Sequence, residues 1–142
     1  INRGGNSLPV PSVVINGGNG STFTFTSITE LITIAAAATS SSATNLIPAN
    51  SRIIGVAFRV TTVIPTAATF QIGITGDPTL FGSGISTAVN TTDSSFNSAV
   101  LLAELMNGAA LTILITPNLT PAAATGRLRV VTYYEQIVAP TS

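Results

Sequence analysis

The sequence predicts an all-β protein: an antiparallel β-sandwich, jelly-roll-like, of about eight strands, preceded by an extended N-terminal arm. Three observations carry this prediction. Runs of β-branched and aromatic residues recur at short intervals, several in strict alternation with polar residues. Clusters of Pro, Gly and Asn separate them. Thr, at 22 residues, is the commonest polar residue. Its branched Cβ packs on a pleated surface while its hydroxyl stays wet.

Residues 1–21 form the arm. They are rich in Gly, Asn, Ser and Pro. Pro9 and Pro11 fix φ and remove ladder donors, which favours extended backbone. Val13-Val14-Ile15 is a short strand before the turn Gly17-Gly18-Asn19-Gly20. It reads either as an edge strand or as part of an arm that swings out to pair with a neighbouring subunit. Ile1 is not an initiator Met and reads as a fragment start, a processed end or a numbering choice.

Residues 22–142 form the sandwich. Thr22–Thr26 alternates strictly and Leu31–Ile34 follows after a short break. Ala35–Ala38 is read as strand whose small side chains allow close approach of another sheet or subunit. Ile53–Thr61 is a long strand with Arg59 and Thr61 on the face opposite Phe58 and Val60. Thr69–Thr75 alternates again; Leu111–Thr116 and Arg127–Val138 complete the set. Turns are expected at Pro48-Ala49-Asn50, Gly76-Asp77-Pro78, Gly82-Ser83-Gly84, Asn107-Gly108 and Pro117-Asn118. Ser98–Met106 tolerates either one helical turn or a strand. Val63–Thr69 and Leu119–Thr125 look alike, each placing Pro and a small Ala run between β-branched runs. They read as convergent loops or as equivalent hairpins on two facing sheets.

Composition narrows the function. Only 7% of residues are charged, against about 25% in a typical domain. All five cations are Arg, balanced by five acids. No basic face for nucleic acid is available, and no apolar run reaches the roughly 18 residues of a membrane span. A surface this poor in charge needs Thr, Ser and Asn for its polarity, or other chains to cover it.

Catalysis and cofactor binding find little support. With no His and no Cys, the common nucleophile systems and zinc ligand sets are missing. The acids Glu30, Asp77, Asp93, Glu104 and Glu135 are scattered, so nothing brings a catalytic pair together. No catalytic, cofactor-binding or metal-ligating residue is assigned. Asp77 sits in a turn, where Asp usually bonds backbone amides two residues on; calcium ligation with Asp93 is the alternative. Tyr133-Tyr134 places one ring on each face of a strand, one for the core and one exposed as a contact. Arg127 and Arg129 share a face with Tyr133, a solvated face or an anion or subunit contact.

The stretches Ile47–Phe70, Gly76–Ile85 and Ile115–Val130 together resemble a β-sandwich domain at the C-terminal ends of tailed-bacteriophage tail proteins. Similar modules occur as surface proteins of phage particles. The resemblance spans roughly Ile32 to Pro140 and leaves the arm outside. It implies a non-enzymatic virion protein, often trimeric, located on the particle surface, and it transfers no active-site residue. Only the short arm precedes the domain, where a tail protein brings a long fibre region. That shifts the expectation towards capsid decoration or a short adaptor, with residues 1–21 contacting other virion proteins. A host-glycan or receptor-binding module at a fibre tip, and a surface-filament subunit assembled by strand donation, are the competing readings.

Overall fold

The computed structural model describes residues 12–95 and 108–142. The strands are β1 (Val13–Asn16), β2 (Thr22–Thr33), β3 (Ser40–Ser41), β4 (Ser51–Thr62), β5 (Thr69–Ile74), β6 (Asp77–Ser86), β7 (Thr92–Ser95), β8 (Leu114–Pro117) and β9 (Arg127–Val138). They form a five-stranded sheet A in the order β1-β2-β9-β4-β7 and a four-stranded sheet B in the order β3-β8-β5-β6. Every described pairing is antiparallel. The ladders nest: β2 pairs with β9, β3 with β8, β4 with β7 and β5 with β6. A long folded-back ribbon rolled on itself in this way is a jelly roll. The predicted class therefore holds, with β1 added at one edge.

Alternation decides which side chains fill the core. Ile32 of β2, Phe58 and Val60 of β4, Phe70 and Ile72 of β5, Ile115 of β8, and Leu128 and Val130 of β9 point between the sheets and are buried. In β4 the inward phase changes from odd to even residues. A bulge between Ile53 and Gly55 makes the switch, so Ile53, Val56 and Phe58 all reach the core. The hydroxyl of Thr132 is buried there without a hydrogen-bond partner.

Several boundaries differ from the sequence prediction. The expected break after Thr26 does not exist: β2 runs unbroken because Ile28 continues the inward phase and β9 pairs with every residue. Gly82-Ser83-Gly84 is no turn but lies inside β6, where Ser83 and Gly84 bulge opposite Gln71. Ala35–Ala38 is an irregular segment, not strand, and Ala36–Ala38 are exposed. It leads to β3, whose Ser40 hydroxyl accepts from the Ala35 N–H. β3, β6 and β7 have no counterpart among the expected strands. Of the expected strand Leu111–Thr116, Leu111 makes only an isolated bridge to Ile47 and the strand proper starts at Leu114. Ser98–Met106 lies outside the described residues.

The two look-alike segments are neither independent loops nor hairpins. One carries the chain from β4 in sheet A to β5 in sheet B; the other returns it from β8 in sheet B to β9 in sheet A. They pack on each other at one end of the sandwich. The Ala122 N–H donates to Thr66 Oγ1 at 3.2 Å. Asn118 Oδ1 accepts from the N–H groups of Ala68 and Thr69. Gly126 lies so close to Ile64 that a Cβ there would stand 2.9 Å from the Ile64 Cα. Their similarity has a physical reason. Both cross between the sheets at the same end, and small residues let them touch.

Candidate interaction surface

Sheet A has one end that sheet B does not cover. There β1, the first residues of β2 and the last residues of β9 form a three-stranded ribbon. Its register sets Val13 against Phe25 and Ile15 against Phe23, then Phe23 against Ile137. Directly paired residues share a face, so Val13, Ile15, Phe23, Phe25 and Ile137 make one apolar surface. Val13, Ile15 and Ile137 are 61%, 59% and 68% exposed. The reverse face carries Val14 and Val138, also exposed. Arg52 and Glu135 form an ion pair beside this patch, Glu135 standing opposite Phe25.

The ribbon is well held at its tip. The Gly17 N–H donates to the Ser21 carbonyl at 2.8 Å, closing the turn between β1 and β2. The Thr141 N–H donates to the Asn19 carbonyl at 2.7 Å, so the C-terminal residues brace the same turn. Val13–Asn16 thus pairs with its own chain as the edge strand of sheet A. That edge carries no charge within β1, and natural edges are usually blunted by charge, Pro or a bulge. A contiguous exposed apolar patch beside an edge strand that is uncharged among the described residues is a candidate interaction surface.

The candidate chemical groups are dispersed. Glu30 holds the loop after β3, its carboxylate accepting from the Ala43 and Thr44 N–H groups and the Thr44 hydroxyl. Burial pushes its pKa up, but these donors, the Thr44 hydroxyl foremost, outweigh burial and hold it below the ordinary Glu value. Nothing in the sequence around Glu30 announced this role, because the loop it holds lies on a different strand connection. Asp77, at the start of β6, accepts from the Thr79 hydroxyl at 3.3 Å in place of the expected backbone amide. Asp93 is on β7, in the other sheet. Among the described residues no three His, Cys, Asp or Glu side chains gather to hold a metal. No described helix is long and apolar enough to cross a membrane. Tyr133 is exposed on the outer face of sheet A, and Tyr134 packs against the core, where burial raises its pKa. A shallow cleft of about 300 Å³ on sheet B is lined by Thr69, Gln71, Gly84, Thr116 and Asn118, all uncharged; neither Tyr contributes to it.

Fold and surface together define a jelly-roll module with one exposed apolar edge. No family model and no curated protein sequence matches the chain. Solved structures do. A chain of the Cyanophage Pam1 capsid asymmetric unit is similar at 19% identity, with a TM-score of 0.52, covering 96% of this chain and 97% of that one. A chain from the capsid of Ralstonia phage GP4 is similar at 18% identity, with a TM-score of 0.55, covering 94% and 93%. At these identities the likeness is one of fold. It runs end to end in both, so each matched chain is itself a module of about this size.

Proposed function

We propose that the protein is a non-enzymatic structural protein of a tailed-phage virion. In this reading it is a homo-oligomeric jelly roll, a trimer by preference, that decorates or cements the capsid surface. Residues 1–21 are its attachment segment and residues 22–142 its presented domain. The observation that carries the reading is the exposed apolar ribbon formed by β1 with β2 and β9. It continues directly from the N-terminal segment and leaves Val13, Ile15 and Ile137 bare. The fold supports it too, since chains of about this length and similar fold occur in two phage capsids. A capsid is preferred to a tail because the two similar chains named above come from capsids.

The test is co-sedimentation with capsids of the encoding phage that lack this protein. The wild-type chain pellets with them, and gold-labelled protein decorates their outer surface in electron micrographs. Ile15→Asp with Ile137→Asp keeps the circular dichroism of the sandwich and lowers the bound fraction at least tenfold. Equal binding by the double variant would sink the proposal.

A further inference from the structure

A second surface lies at the opposite end of the outer face of sheet A. Arg59 on β4 stands directly across from Arg129 on β9. Arg127 lies two residues away on the same strand, on the same face, and all three are exposed. Side chains paired in this way start about 5 Å apart, and those two residues apart on one strand about 6.8 Å. Like charges directly opposite destabilise a ladder, yet three of the five cations of a sparsely charged chain gather here. Among the described residues the ion pair is Arg52–Glu135, at the ribbon end; Arg59, Arg127 and Arg129 have none. Arg59 is aimed by donating to Asn90 Oδ1 at 2.6 Å. Across β2 the group is framed by the uncharged Leu31 and Thr33.

We infer that this arginine rung is a docking surface for an extended, acidic segment of a different protein. Charge complementarity sets the chemistry, because carboxylates pair with guanidinium groups by two charge-assisted hydrogen bonds. Spacing sets the form, because carboxylates at alternate positions of an extended chain repeat at the Arg127–Arg129 interval. A second copy of this chain is not that partner. Its five acids stand singly, Asp93 and Glu104 being nearest in sequence, so no segment offers two at alternate positions.

The test uses a fluorescent heptapeptide of alternating Thr and Glu, a Gln-for-Glu version of it, and inorganic phosphate, each added to the full chain. The Glu peptide binds at low ionic strength and shifts amide resonances of β4 and β9 around Arg59, Arg127 and Arg129. Arg127→Gln with Arg129→Gln weakens it at least tenfold, as does about 200 mM salt. Arg52→Gln, which removes charge elsewhere, leaves the affinity within twofold. The inference is overturned if the Gln peptide binds equally, if the double Arg variant binds like wild type, or if phosphate alone competes as tightly as the peptide, which would mark a simple anion site.

Discussion

Phe58 of β4 and Phe70 of β5 meet edge to face across the sandwich, their ring centroids 5.8 Å apart and their planes at 69°. One ring belongs to sheet A and the other to sheet B, so this contact ties the two layers directly. Phe70 is 1% exposed. Phe70→Ala is expected to cost about 3–5 kcal/mol through lost burial and the cavity left behind. A double-mutant cycle with Phe58→Ala should show a coupling of about 0.5–1.5 kcal/mol in urea unfolding. Strict additivity would mean that the rings contribute only as separate core residues.

Gly126 tests the crossover end. Its ideal Cβ position is 2.9 Å from both Cα and Cγ1 of Ile64, and the backbone Cα cannot move without pulling the crossing loop with it. Gly126→Ala should destabilise by about 1–3 kcal/mol, the range of an overpacked site. Gly108→Ala, where the added methyl meets nothing within 4 Å among the described residues, is the control, and its melting temperature should stay close to wild type.

The carboxylate of Glu30 links stability to pH. Its folded pKa is lowered, so its contribution is present above the ordinary value of 4.5 and is lost as pH falls through the lowered folded value. Glu30→Gln should therefore be less stable than wild type at neutral pH, and the gap should close on acidification below 4.5. Thermal melts of both proteins from about pH 3 to about pH 7, a span that brackets the usual carboxylate range, would show it. A gap independent of pH would mean that the ionised group does not hold the Ala43–Thr44 loop.

The opposition of Arg59 and Arg129 predicts that the isolated protein gains from losing one of them. Arg129→Thr removes a like-charge pair and places a β-branched residue on an exposed strand face. The expected gain is about 0.2–1 kcal/mol at low salt, shrinking as salt screens the repulsion. Chemical denaturation at two ionic strengths measures it; a loss of stability would show that the pair is compensated within the chain.

Removing residues 1–21 should leave β2–β9 folded. β1 pairs only with β2 among the described strands, and the core residues all lie beyond it. The shortened chain is expected to keep a cooperative unfolding transition but to lose capsid binding. Loss of folding would instead make β1 part of the sandwich's own stability.

The sequence alone determined several strands and their faces, β4, β5 and β9 above all, because side chains alternate along extended backbone whatever the partner; β3, β6 and β7 were not legible in it. That principle located β9 to the residue, set Arg127, Arg129 and Tyr133 on one side, and sent Phe58 and Val60 inward. It also exposed the scarcity of chemistry-bearing residues and the distinct Gly-, Asn-, Ser- and Pro-rich composition of residues 1–21. Pairing was a different matter. Whether Ser27–Glu30 breaks a strand depends on β9 lying alongside to satisfy it. Whether Gly82–Gly84 turns or bulges depends on Gln71 opposite. The crossing of the two Pro- and Ala-containing loops, the Glu30 clamp, the bare ribbon and the Arg59–Arg129 opposition all join residues far apart in the chain. Only the rolled sheet brings them together, since register between distant strands is set by the joint burial of both inner faces and not by local pattern.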